Sequence, residues 1–151
     1  MEAGVRVRVA ALVLWRDRIL FVRQAKNGRV YWLLPGGGVE TGETLVAAVR
    51  REVREECWIT IAEIAGPIAL AESIAPAGDG SGRHVIHLIF EASVADAALE
   101  AVASADAAIS GHDLVERSEL AGMDLRPPIR RFLERYEPGD PFVALGRVWV
   151  N

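Results

Sequence analysis

Alternating and continuous apolar runs predict six strand regions and two helices along the chain. The strands are expected at residues 5–15, 19–24, 30–34, 59–73, 84–94 and 142–150, with 59–73 forming one strand or two because Gly66-Pro67 interrupts it. The region 84–94 is apolar on both alternating faces, which is typical of a buried central strand. The helices are expected at residues 44–58, with Thr44 as the N-cap, and from Pro127 or Pro128 to Tyr136.

Glycine and proline clusters predict loops between these elements. Residues 35–38 read Pro-Gly-Gly-Gly and are expected to be irregular, and residues 75–82 form a second Gly-rich loop. The Ala-rich region 95–111 gives no clear prediction. Because strands occur both in hairpins and around helices, the pattern favours an α/β fold with a mixed sheet and helices packed against it.

Composition narrows the class of protein. A length of 151 residues predicts one domain over 1–151, and the formal net charge is −4. Because the basic residues are scattered, we expect neither a nucleic-acid polymer nor a membrane as a partner. A single cysteine, Cys57, and an apolar run at 10–15 that is too short for export or membrane insertion indicate a cytoplasmic protein. An acidic chain that binds phosphates needs a cation or well-placed arginines.

Three glutamates on the helix 44–58 provide the clearest chemical signal. With Leu45 at 0° on a helical wheel, Glu52, Glu55 and Glu56 fall at roughly 340°, 280° and 20°. Glu52 and Glu56 therefore border the apolar stripe, where neighbouring carboxylates repel and are costly to desolvate. A hard cation such as Mg²⁺ would relieve that conflict. The alternative is a solvated, salt-bridged helix face, which clustered glutamates and arginines also form.

The same segment resembles a known family motif. Gly37, five residues, Glu43, seven residues and then Arg51-Glu52-Val53-Arg54-Glu55-Glu56-Cys57-Trp58-Ile59 is similar to the Nudix box, which covers 23 of the 151 residues. Its lead-in Trp32-Leu33-Leu34-Pro35-Gly36-Gly37 is also similar to the family. One fixed position departs from the box, because Trp58 replaces a glycine.

The resemblance implies a Nudix-type α/β/α sandwich and a hydrolase of the pyrophosphatase type. By this resemblance Mg²⁺, or Mn²⁺ in its place, would be held by Glu55, Glu56 and the carbonyl of Gly36. Glu52 would be a further ligand or the base that activates water, whereas Arg51 and Glu43 would hold the loop in place. The substrate would be a nucleoside diphosphate linked to another group, such as ADP-ribose, or a nucleoside triphosphate.

Residues outside the box are less sharply defined. Arg23 and Arg83 lie near predicted strand ends and could bind substrate phosphates, although solvated arginines occur there equally often. A further carboxylate could come from Glu91, Glu100, Asp106 or Asp113. A homodimer is compatible with the sequence. Two alternatives on the same fold are a nucleotide-binding regulator that has lost turnover and, less favoured, a diphosphate isomerase.

Trp58 yields a separate expectation. A glycine at this position would suit a left-handed helix end, which costs tryptophan about 1–2 kcal/mol. We therefore expect the Trp58 ring to be substantially buried so that its packing offsets the strain, and we expect Trp58→Gly to lower thermal stability. An exposed Trp58 would instead be a candidate for stacking on a substrate base.

Overall fold

The computed structural model describes residues 4–149, which form two sheets and the helices packed on them. The strands are β1 (Arg6–Leu12), β2 (Leu14–Trp15), β3 (Arg18–Lys26), β4 (Arg29–Leu33), β5 (Gly36–Gly38), β6 (Ile61–Ile74), β7 (His84–Val94), β8 (His112–Glu116) and β9 (Val143–Val148). The helices are α1 (Leu45–Cys57), α2 (Asp96–Ser104), α3 (Ala107–Ser110) and α4 (Arg130–Arg135), with a 3-10 helix at Arg117–Gly122.

The larger sheet is mixed, as the sequence predicts. Its strand order is β5-β1-β7-β6-β9, with β1 parallel to β7, β6 parallel to β9, and antiparallel pairing elsewhere. The prediction of a buried central strand at 84–94 is confirmed by β7. The smaller sheet is antiparallel, because β3 pairs with β2, β4 and β8.

Helices cover both faces of the larger sheet, which confirms the three-layer α/β/α architecture. The larger sheet has a cluster of buried apolar residues on each face, and alternate residues of β1 belong to different clusters. Val9 and Ala11 pack on the side of α1, whereas Ala10 and Leu12 pack on the side of α4. Such two-sided burial explains why this strand is almost continuously apolar. No helix among residues 4–149 is long and apolar enough to cross a membrane.

Residues 36–38 differ from the sequence prediction, because they form strand β5 instead of an irregular loop. The register pairs Gly36 with Ala10 and Gly37 with Val9. A Cβ atom at Gly36 would overlap the carbonyl oxygen of Val9 and lie 2.7 Å from the Cα of Ala10. The glycines therefore make this strand possible, since any larger residue at 36 would push β5 away from β1.

Other boundaries were predicted less accurately. Residues 61–74 form one strand with a register shift between Ala65 and Ala69, so Gly66-Pro67 bulges the strand without ending it. The last helix starts at Arg130 because residues 124–126 first run beside β4, where Trp32 N donates to Asp124 O and Arg126 N donates to Trp32 O. Residues 95–111 contain α2 and α3, and β8 was not predicted. The closing strand ends at Val148, and the predicted end at residue 150 lies outside the described residues.

Candidate active site

Helix α1 carries the glutamates and is defined at both ends by its backbone. Thr44 caps the N-terminus, where its hydroxyl accepts a hydrogen bond from Ala47 N at 3.1 Å. Ala48, Val49 and Val53 are buried and fix the rotation of the helix against the larger sheet. At the other end His112 Nε2 donates to the carbonyl oxygen of Glu56 at 2.6 Å, which ties α1 to β8. This role of His112 could not be predicted from the sequence, because nothing in the local pattern pairs β8 with α1.

Glu52 and Glu56 meet at the glycines of β5. A Cβ atom at Gly37 would lie 2.5 and 2.6 Å from the two carboxylate oxygens of Glu52, so only glycine leaves room for this carboxylate. Gly36 N donates to Glu56 Oε1 at 3.3 Å. The backbone of β5 and the two carboxylates of α1 are thus in direct contact.

The carboxyl group of Glu56 is difficult to ionise in this position. Burial raises the pKa of Glu56 to about 7, and the charge of Glu52 and a hydrogen bond with it act in the same direction. The nearby Arg8 guanidinium and the Gly36 N–H oppose this increase. Two crowded, partly buried carboxyl groups form an oxygen-only donor set that suits a hard divalent cation with water completing its coordination.

Arg51 connects the loop before α1 with the glutamates on it. Its guanidinium donates to both carboxylate oxygens of Glu43, at 2.7 and 2.9 Å, and to the carbonyl of Gly38 at 3.0 Å. It also donates to Glu52 at 2.8 Å and to Glu55 at 3.3 Å. These contacts raise the pKa of Arg51, chiefly through the hydrogen bonds with Glu43 and Glu52. Arg51 therefore offsets the mutual repulsion of the carboxylates around it.

Glu55 is placed differently from its two neighbours. Its side chain is 59% exposed, and Arg51 is the partner that it contacts. Within residues 4–149, no three His, Cys, Asp or Glu side chains converge as a ready-made metal site. Of the four expected metal-binding positions, the structure brings together Gly36, Glu52 and Glu56 and leaves Glu55 on the solvent side.

A cavity of about 530 Å³ begins at Gly37 and Gly38, next to Glu52. Its lining includes Tyr31 from β4 and five basic residues, namely Arg6, Arg8, Lys26, Arg83 and Arg126. Arg8 is half-buried, donates to the carbonyl of Leu34 at 3.4 Å and faces the charges of Glu56 and Glu52. The sequence does contain a signal for Arg8, because an arginine one residue before a buried apolar run requires a partner.

The residue pattern of the NUDIX domain matches residues 4–136 of this chain. The chain belongs to the Nudix family.

Named relatives share shorter segments with this Nudix chain. The human 8-oxo-dGDP phosphatase NUDT18 is 43% identical over 54 residues, which are 35% of this chain and 17% of that protein. The RNA pyrophosphohydrolase of Francisella tularensis subsp. mediasiatica is 42% identical over 55 residues, or 36% of this chain and 35% of the relative. The chain thus spans about a third or less of these curated relatives.

The whole fold has a counterpart among solved structures. A MutT protein from Bacillus halodurans superposes with a TM-score of 0.68 at 16% identity, covering 93% of this chain and 89% of that one. At this level of identity the likeness concerns the fold alone.

Of the site residues predicted outside the Nudix box, the structure places only some at the cavity. Arg83 lines the cavity, whereas Arg23 lies opposite Trp32 in the β3–β4 ladder and is not part of the lining. The four candidate carboxylates have other surroundings: Glu91 accepts from Tyr136, Glu100 pairs with Arg16, Asp106 caps α3, and Asp113 lies across from Phe21. None of the four forms a hydrogen bond with Glu52 or Glu56 in the part of the chain that the structure describes.

The expectation that Trp58 is buried is wrong. Its φ of 61° and ψ of 29° are left-handed, as the Nudix box glycine would require, and its N–H donates to Arg54 O at 3.0 Å. The side chain is nevertheless 88% exposed. Because the ring lies outside the core, its packing cannot offset the strain of the backbone. The exposed indole could stack on a substrate base, but Trp58 is not among the residues that line the cavity.

The Glu43–Arg51 pair predicts a specific dependence of stability on pH. The pKa of Glu43 is lowered from 4.5 to about 2, first by the hydrogen bonds from Arg51 and then by that from Glu40 N. The folded state therefore favours the carboxylate, so its stabilising effect is complete above about pH 4.5 and is lost as the pH falls towards 2. We expect the difference in unfolding free energy between wild type and Glu43→Gln to shrink over this range in urea titrations. Glu40→Gln is the control, because Glu40 is 71% exposed and 3.9 Å from Arg51.

Replacing the exposed Trp58 tests whether its ring contributes to stability or to substrate binding. Trp58→Gly removes left-handed strain and loses little packing, so the free energy of unfolding should rise by up to about 1 kcal/mol. Trp58→Ala keeps the strained backbone and should leave the melting temperature nearly unchanged. If the ring stacks on a base, both variants should raise KM. A fall in melting temperature for Trp58→Gly would show that the ring packs against the protein.

Proposed function

We propose that this Nudix chain hydrolyses a diphosphate bond in a nucleoside diphosphate derivative, with Mg²⁺ or Mn²⁺ as its cofactor. The observation that carries the proposal is the meeting of Glu52 and Glu56, which contact Gly37 and Gly36 respectively, beside a cavity lined with basic residues. Carboxylates suit the cation, and the basic lining suits the phosphates of the substrate.

The cation would be held by Glu52 and Glu56, together with the carbonyl of Gly36 and, after a rotation of its exposed side chain, Glu55. When bound, such a cation polarises the diphosphate and neutralises part of its charge. Glu52 contacts Gly37, which lines the cavity, so it is placed either to help hold the cation or to take a proton from the attacking water.

Arg8 contributes positive charge from the protein itself. It is half-buried beside Glu56 and lines the cavity into which the substrate would extend. In a partly desolvated position a guanidinium stabilises negative charge more strongly than it does in water. Arg51 instead holds Glu43, the carbonyl of Gly38 and Glu52 in fixed relative positions through its hydrogen bonds, which makes it a positioning residue.

The named relatives support the reaction class but leave the substrate open. One is a phosphatase of 8-oxo-dGDP and the other a pyrophosphohydrolase of RNA. Both names concern phosphates attached to nucleotides, and both matches are confined to about a third of this chain. An ADP-ribose-like compound and a nucleoside triphosphate both remain within the proposed class.

One observation favours a second candidate, a nucleotide-binding regulator without turnover. Glu55 is mostly exposed, and the acidic side chains described by the structure do not form a complete metal site. Such a protein would bind the nucleotide through the basic cavity and release no product. A turnover assay separates the two candidates directly.

Metal dependence is the first test. We expect a hydrolysis screen over nucleoside triphosphates, ADP-ribose and nucleotide sugars, in which the nucleotide products are separated by chromatography, to give turnover with Mg²⁺ or Mn²⁺ and none in excess chelator. Full activity in chelator would contradict the role of the cation. Nucleotide binding without turnover under every metal condition would favour the regulator.

The second test concerns Glu56. We expect Glu56→Gln to reduce kcat by at least about 100-fold, because the change removes a charge that holds the cation. The melting temperature should stay the same or rise, since repulsion with Glu52 is relieved. Glu63→Gln, on the exposed side of β6, is the matched control and should leave both quantities unchanged. Normal turnover by Glu56→Gln would remove this glutamate from the site.

A further inference from the structure

The cavity of about 530 Å³ that begins at Gly37 and Gly38, here called the basic cavity, has more basic residues than are needed to bind one diphosphate beside Glu52 and Glu56. Five of the 17 basic residues line it, and no Asp or Glu among residues 4–149 does so, although the formal net charge of the chain is −4. Such a segregation of charge creates a local positive potential that favours an anionic ligand.

Two of the five basic residues already have partners. Arg8 faces Glu56 and Glu52 at the end of the cavity next to α1. Arg126 donates to Asp124 at 3.0 Å and stacks on the ring of Tyr31, 4.2 Å from its centroid. Each of these two charges is thus attracted by carboxylates of the protein.

The other three cations lack such balance. Arg6 lies on β1, with Nη2 3.8 Å from the position that a Cβ at Gly38 would occupy. Lys26 ends β3, and Arg83 directly precedes β7. None of the three forms an ion pair within residues 4–149. The charge of Arg83 acts on the exposed Asp79 without a hydrogen bond between the two side chains. All three side chains are exposed, so water solvates them in the free protein. A phosphate group can replace that water with charge-assisted hydrogen bonds, which a neutral sugar or base cannot do.

The same cavity contains a buried polar group with an unused atom. His87 is 8% exposed and its Nε2 lies 2.8 Å from Ser73 Oγ, while its Nδ1 has no hydrogen-bond partner in the part of the chain that is described. Burial lowers the pKa of His87 to about 4, so the imidazole is neutral near pH 7. His87 and Ser73 are therefore buried polar side chains in the lining of the cavity, and a solvated basic surface would have no such groups.

We propose that the substrate carries at least one phosphate group in addition to the diphosphate that is cleaved, and that Arg6, Lys26 and Arg83 bind it. The inference rests on the proposed function, because it assumes that the cleaved diphosphate lies beside Glu52 and Glu56. The additional phosphate would belong to the part of the substrate that extends from the cleaved diphosphate into the cavity. Guanidinium and ammonium groups suit this role, since charge-assisted hydrogen bonds to phosphate are short and strong.

Matched ligand pairs test the additional phosphate. NADP and NAD differ by one phosphate on a ribose, as do coenzyme A and dephospho-coenzyme A. In isothermal titration calorimetry with excess chelator, where the proposed function predicts no turnover, we expect the phosphorylated member of at least one pair to bind at least about tenfold more tightly. Equal affinities in both pairs, or no binding of any member at millimolar concentration, would overturn the proposal.

Single substitutions test the assignment of residues. We expect each of three variants to reduce the preference for the phosphorylated ligand over its unphosphorylated partner by at least about threefold, as expected for one partly solvated charge. The variants are Arg6→Gln, Lys26→Gln and Arg83→Gln. Arg29→Gln is the control, because Arg29 is exposed on the same hairpin as Lys26 but does not line the cavity, and it should leave the preference within about twofold. A preference that survives all three substitutions would overturn the assignment. Turnover with Mg²⁺ is measured separately, so its absence would contradict the proposed function and leave the binding result intact.

Discussion

The site depends on the bare backbone of Gly36 and Gly37, which is held between β1 on one side and the carboxylates of α1 on the other. Gly36 has no room for a Cβ against Val9, and Gly37 has none against Glu52. The clash at Gly36 is with backbone and would move β5 away from β1, whereas the clash at Gly37 would displace the carboxylate of Glu52. The two glycines therefore set the distance between the sheet and α1, and every polar contact of the site is built on that distance.

Arg51 makes this close approach electrostatically tolerable. Glu43, Glu52 and Glu55 all lie within hydrogen-bond distance of a single guanidinium, whose Nη2 also binds the carbonyl of Gly38. A planar cation with several fixed donors can serve the loop and the helix together, which a lysine ammonium could not do with the same geometry. Glu56 lies beyond this network, and partial burial raises the pKa of its carboxyl group, an increase that the charge of Arg8 opposes without cancelling it.

The sequence predicted the parts of the structure that depend on local pattern. Thr44, the apolar stripe of α1 and the strand at 84–94 each follow from periodicity and capping, and the structure has them within a residue or two. β5 was missed because a run of glycines has no strand propensity of its own and pairs only through its approach to β1. Trp58 shows a different limit: its left-handed backbone was foreseeable, but the direction of its ring depends on contacts that lie outside the helix.

The positive lining of the cavity shows why scattered charges in a sequence can still form one surface. Arg6 and Arg83 are 77 positions apart by their numbers, yet the parallel pairing of β1 with β7 places Arg6 opposite Val85. Lys26 joins them from the end of the β3–β4 hairpin. The box confines the cleavage chemistry to a short contiguous segment, whereas the residues that face the rest of the substrate come from separate strands. Selectivity can therefore change through single substitutions at these strand ends without disturbing the glycines, Arg51 or the glutamates of α1.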